Sequence, residues 1–272
     1  MSGFPLSEFL VLLGAGLFGA AAILPYAFNL NRNRLSQAKL PLPVLVLLSF
    51  LQSALLTAVA VGVGLLAAQA VGLGAPQIQD ALAGKPVLDS ILGFLPLSVS
   101  LGLLSFAVVA LLELFVFLPR LPEALRSLDV KTSFWKRLLA SFYGGINEEI
   151  LMRLFLVSVL VWILGRFWWN AGGLREDGAY WTAILLAALL FGLGHLPATR
   201  ALTPLTPRLV LRALLLNGVA GIAFGWLYWQ YGLLAAMLAH FCADIGLHLV
   251  GPPLISRREN RVPQGQALDE PR

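Results

Sequence analysis

The sequence predicts an all-α, polytopic membrane protein with about seven transmembrane helices, on three observations. Of its 272 residues only 12% are charged, against 58% in the hydrophobic set, and the mean hydropathy is +0.82. A water-soluble domain carries about 25% charged residues, so this chain lacks the polar surface to face water all round. Its apolar residues fall into separate runs of membrane-crossing length, near the ~20 residues a helix needs. Its basic residues lie in the short segments between those runs, so the pI of about 9.7 and net charge of +5 read as membrane topology and not as nucleic-acid binding. The single cysteine, Cys242, has no partner for an intramolecular disulfide, and no CxxC tract marks a structural zinc site.

The first run, 9–28, has Glu8 as its only early charge and lacks the basic leader of a signal peptide, so it is expected to be a retained span. Runs at 43–70, 91–118, 138–165, 180–197, 209–229 and 232–250 follow. The third is long and contains Pro96, and the fifth is short and ends at Pro197, which leaves room for an eighth or re-entrant segment. Residues 1–256 are expected to form one transmembrane domain with its motif-bearing core at 138–250. The segment 120–137 is basic, apolar and short enough to lie along the membrane surface. The tail 257–272 is polar and expected to be cytoplasmic and disordered.

Alternating the runs places fourteen Lys and Arg on one side, in the segments 32–39, 120–137, 200–208 and beyond 256. Only Lys85, Arg166 and Arg175 fall on the other, while Arg153 and Arg212 lie inside apolar runs. The positive-inside bias puts the N-terminus outside and the C-terminus in the cytoplasm. Trp168, Trp169, Tyr180, Trp181, Trp229 and Tyr231 mark helix ends on the outer side, as an interfacial belt would. A cysteine at Ser2 should therefore react with an impermeant thiol reagent added to intact cells, and one at Ser256 should not. The reverse labelling pattern would invert the chain.

A charge at the centre of a span costs about 2.5–3.5 kcal/mol on the insertion scale. The fourth run nevertheless holds Asn147-Glu148-Glu149-Ile150-Leu151-Met152-Arg153. Glu149 and Arg153 are four apart, with the acid first, the better order for a helical ion pair. Glu148 is turned about 100° away on an ideal helix and points elsewhere. Paired charges acting as interhelical glue would explain this cluster on its own. Two more runs change the balance: the fifth ends in Phe191-Gly192-Leu193-Gly194-His195, and the seventh contains His240-Phe241-Cys242-Ala243-Asp244. His240, Asp244 and His248 recur every four residues and share a face, which Cys242 does not. Cys242 reads as a small apolar filler, and His248 as an interfacial histidine. Glu148 lies eleven residues from Arg137, roughly 16 Å along a helix, so the cluster belongs to the cytoplasmic half. His195, two residues before Pro197, is shallower by this measure, unless its helix tilts or runs past the proline.

Glu148-Glu149-x-x-x-Arg153, Phe191-x-x-x-His195 and His240-x-x-x-Asp244, in this order on three membrane helices, resemble the three motifs of the CAAX-protease and bacteriocin-processing (Abi) family of intramembrane endopeptidases. The resemblance implies that Glu148 and His195 activate a water that attacks the scissile carbonyl. It assigns the developing oxyanion to His240 and the residue four later, and a supporting role to Glu149 and Arg153. Asparagine is common at that last position in the eukaryotic branch, and Asp244 stands here. An ionised aspartate donates no hydrogen bond to an oxyanion. Asp244 therefore orients His240, carries a proton, or ligates a metal.

The implied substrate is a membrane-embedded, C-terminally anchored or lipidated peptide or protein, with the lipid bilayer as the other partner and no nucleic acid. Leu- and Arg-rich usage without a retention signal gives the plasma (inner) membrane as the expected location. No cofactor is expected. The carboxylates and histidines would accept zinc, yet the HExxH grip of many zinc proteases is absent, which favours a glutamate mechanism without metal. Two other classes would use such residues. A proton-coupled transporter would show interrupted helices in two related halves, a symmetry the sequence lacks. An immunity or scaffold protein would keep the fold without the chemistry.

Overall fold

The computed structural model describes residues 3–30, 35, 37–122, 125, 132–167 and 177–250, and these contain helices and no strand. Trp168, Trp169, Arg32, Arg34, Arg126, Lys131, Arg175 and the 257–272 tail lie outside them. Every apolar run has become a helix: α1 (Leu6–Leu30), α2 (Leu42–Val71), the short α3 (Pro76–Leu82) and α4 (Leu88–Leu112) come first. Helix α4 runs through a π turn at Glu113–Phe117 and a 3-10 turn at Leu118–Arg120, so Pro96 does not end the span. Helix α5 (Phe134–Phe142) passes through π-helical stretches at Tyr143–Glu148 and Ile150–Val157 into α6 (Ser158–Leu164). Helices α7 (Asp177–Gly194), α8 (Leu196–Arg200), α9 (Pro207–Tyr231) and α10 (Leu233–Ile245) complete the order, α10 ending in a π turn at Gly246–Val250.

Five of these helical spans are long and apolar enough to cross a membrane: Leu6–Leu30, Leu42–Val71, Leu88–Arg120, Asp177–Arg200 and Pro207–Tyr231. The last apolar helix, Leu233–Leu249, is shorter, roughly 25 Å along its axis. The α5–α6 helix carries the charged motif. The protein is a multi-pass membrane protein. Along α2, Leu47, Leu51, Leu55, Val59 and Leu66 are more than half exposed, a continuous apolar face that only lipid or another apolar surface would cover.

The α5–α6 helix sits centrally, touching α1, α2, α7, α9 and α10. Its Ile150, Leu154, Val157 and Val161 are fully buried and form the middle of the main core. Lipid tails are as apolar as leucine, so helices in a bilayer associate through close packing of small residues. Gly64 of α2 faces the Leu154 backbone carbonyl, where an added Cβ would approach to 2.8 Å. Gly221 and Gly225 of α9 lie against Ala188 and Ile184 of α7 in the same way. At one end of the bundle Tyr180 stacks on Trp229 at 4.8 Å and donates from its hydroxyl to the Val71 carbonyl at 2.9 Å. These aromatics of the expected outer belt also fasten α2, α7 and α9 together.

Candidate active site

Helix α5 brings its motif to the site on a foundation laid by α1 and α2. Asn147 is buried, and its amide donates to the Gly16 carbonyl of α1 at 2.8 Å and to the Thr57 hydroxyl of α2 at 3.4 Å. A Cβ on Gly19 would collide with the Asn147 side chain, so α1 needs glycine there to come this close. On the opposite side Gly144 faces Asp244 and His240 of α10. A Cβ at Gly144 would meet Asp244 Oδ2 and stand 3.2 Å from His240 Nε2. The Gly144-Gly145 pair thus lets α10 lie against the motif, within a π-helical stretch whose wider turn is frequent at functional sites.

Glu149 is fully buried, and one of its oxygens serves two partners. Oε1 forms an ion pair with Arg153 Nη1 at 2.8 Å and accepts a hydrogen bond from His240 Nδ1 at 2.6 Å. Arg153, also buried, donates from Nη2 to the Gly221 carbonyl at 3.2 Å. Its guanidinium lies between the rings of Phe191, at 5.8 Å, and Phe224, at 5.5 Å, a cation–π setting that suits a desolvated arginine. The Phe of Phe191-x-x-x-His195 therefore acts as a wall shared by Arg153 and His195.

His240 is held on three sides: Glu149 at Nδ1, the Phe224 ring at 5.0 Å and the Phe191 ring at 6.4 Å. Since a carboxylate oxygen only accepts, the proton belongs on Nδ1, leaving Nε2 toward Glu148 and Asp244. Nε2 stands 3.7 Å from Glu148 Oε2 and 3.6 Å from Asp244 Oδ1, both too long for direct hydrogen bonds. Of the alternatives for Asp244, orienting His240 through Nδ1 is taken by Glu149. Asp244 sits beside the opposite nitrogen.

His195 occupies a one-residue break between α7 and α8, and the chain turns helical again from Leu196 with Pro197 in its first turn. The helical path does run past Pro197. The ring of His195 is fixed by its Nδ1 at 2.8 Å from the Phe191 carbonyl and by an edge contact with the Phe191 ring at 4.7 Å. Its Nε2 is left over, as in His240.

Glu148, His195, His240 and Asp244 all line one cavity of about 530 Å³. Phe191 lines it too, whereas Glu149 and Arg153 do not reach it, which separates the seven motif residues into five on the cavity wall and two that support them. Cys242 is not on this wall and packs toward Gly102 of α4. Residues 130–246 match the family of type II CAAX prenyl endopeptidases described as Rce1-like. The resemblance to the CAAX-protease family is thereby shown. No curated protein and no solved structure matches the chain. The matched segment holds all seven CAAX-protease motif residues, and the helices before it lie outside the match.

The cavity also contains residues that the motifs do not announce. Glu113 and Arg212 form a two-pronged ion pair across it, Nε to Oε2 at 2.8 Å and Nη2 to Oε1 at 3.1 Å. Asn217 and Tyr143 line it too, as does His248, whose ring lies 5.8 Å from that of Tyr26. His248 thus faces the cavity instead of marking only an interface. The available signal was Arg212 itself, a lone cation in an apolar run, with Glu113 as the one carboxylate in the interior of the third run. Among the described residues no three His, Cys, Asp or Glu side chains converge tightly enough to hold a metal ion.

Proposed function

We propose that the protein is an intramembrane endopeptidase of the CAAX type, in which Glu148 activates a water to hydrolyse a peptide bond of a membrane-associated, lipidated or C-terminally anchored substrate. The observation that carries this reading is the common cavity of Glu148, His195, His240 and Asp244, set against a family match to prenyl endopeptidases. Groups 3.6–3.7 Å apart on a cavity wall are spaced to share a bridging oxygen. Glu148 takes a proton as the water oxygen bonds to the scissile carbonyl carbon. The oxyanion so formed collapses, the C–N bond breaks, and the amine leaves with the proton. The acid so formed gives up its remaining proton to the amine, and the products are a carboxylate and an ammonium group. His195, its Nδ1 engaged by a carbonyl, presents Nε2 to position the water. His240, oriented by Glu149, presents Nε2 toward the reacting oxygens.

The reaction is proposed to need no metal and to take place in the cytoplasmic half of a plasma membrane. The full chain in phosphatidylcholine nanodiscs should convert a prenylated CAAX peptide into two fragments separable by mass spectrometry. The same preparation should carry no stoichiometric zinc by elemental analysis. An intact peptide after prolonged incubation, with peptide binding verified, would remove the protease reading. About one zinc per chain, lost on mutating His195 or His240, would convert the mechanism to a metal-dependent one.

A further inference from the structure

The Glu113–Arg212 pair stands apart from the motifs yet on the wall of the same cavity, and neither residue is needed for the chemistry just described. We propose that Arg212, held in place by Glu113, is the docking point for the free C-terminal carboxylate of the peptide substrate. This rests on the endopeptidase reading and adds which end of the substrate is recognised.

Arg212 sits in the second turn of α9, close enough to a helix end for its long side chain to reach the interface. Its guanidinium is turned into the cavity instead. Glu113 occupies the Nε and Nη2 edge, which fixes the plane of the fork. Nη1 makes no hydrogen bond to another described residue, and about 29% of the Arg212 side chain remains accessible. A guanidinium pre-oriented by one carboxylate, with donors left over, is suited to receive a second.

The spacing gives the recognition a length. The Gly221 carbonyl is bonded to Arg153 and marks the level of the catalytic residues on α9. Arg212 precedes Gly221 by nine residues, roughly 13 Å along the helix axis. Extended peptide covers about 3.3–3.6 Å per residue, so about four residues separate the scissile bond from Arg212. Leu114, Leu118, Leu121 and Leu216 line the cavity near the pair and would take apolar side chains of those residues. Charge sets the direction. Glu148 and Asp244 repel a chain-terminal carboxylate at one end of the cavity, and Arg212 attracts it at the other.

A pair that only clamped α4 to α9 would be indifferent to the chain end of the ligand. The test uses full-length Glu148→Gln protein in phosphatidylcholine nanodiscs, where binding is read without turnover. Fluorescence anisotropy is measured for a labelled prenylated CAAX peptide as the free acid and as the C-terminal amide. The acid should bind about tenfold more tightly or better. Adding Arg212→Gln should bring the acid-to-amide ratio near one, and Arg212→Lys, which keeps the charge, should retain part of the preference. Because the ratio is internal to each protein, a reduced folded fraction does not alter it. Equal binding of acid and amide, or a preference that survives Arg212→Gln, overturns the proposal. A carboxylate preference lost with Arg212→Gln, in a chain whose parent Glu148 form cleaves nothing, would support the anchor and refute the protease reading.

Discussion

Glu148→Gln should lower peptide cleavage by about 10²–10⁴-fold, the range expected when a positioned general base is removed. The amide has nearly the shape of the carboxylate but is a very poor base. The variant should insert, purify and melt like the parent, because Glu148 borders the cavity and its ion-pair approach to His240 is a long 3.7 Å. Single-turnover cleavage and thermal unfolding in detergent, run on the same sample, check both halves. Cleavage within a few fold of the parent would end the assignment of Glu148 as the base.

Glu149→Gln should behave differently, and more severely than its pairing with Arg153 alone would imply. The substitution withdraws the counter-charge from a fully buried Arg153, and breaking such a pair costs about 3–5 kcal/mol. It also weakens the bond that holds Nδ1 of His240. Stability and activity are therefore expected to fall together, since one oxygen serves both the fold and the site. Arg153→Met in the Glu149→Gln background removes the orphaned cation and should recover much of the stability while activity stays low. Melting curves and cleavage rates of the two proteins separate the effects. Full activity in Glu149→Gln would show that His240 needs no orienting carboxylate.

The motif residues were legible because each is costly in a membrane and their spacing carries helical periodicity. Glu149 with Arg153, and the shared face of His240, Asp244 and His248, follow from a four-residue repeat and recur in the structure. The partner of His240 was not legible. Asp244 is four residues away on the same helix and Glu149 is 91 residues away, yet Glu149 takes Nδ1. Sequence spacing favours partners within one helix, whereas helix-to-helix approach depends on the glycines that permit it, here Gly144 and Gly145. The Glu113–Arg212 pair was hidden for the same reason, being a contact between separate helices. The support that Gly16, Gly19 and Thr57 give to Asn147 carries no signal in composition at all.

The division of labour at Glu149 also bears on the order in which the chain is made. Its counter-charge Arg153 lies on the same helix and is translated within the same turn, whereas His240 follows 91 residues after Glu149. At about 5–20 residues per second, that is an interval of about 5–20 s. The motif helix has to leave water before the histidine it will orient exists, and through that interval the pair with Arg153 keeps Glu149 from entering the bilayer as a lone anion.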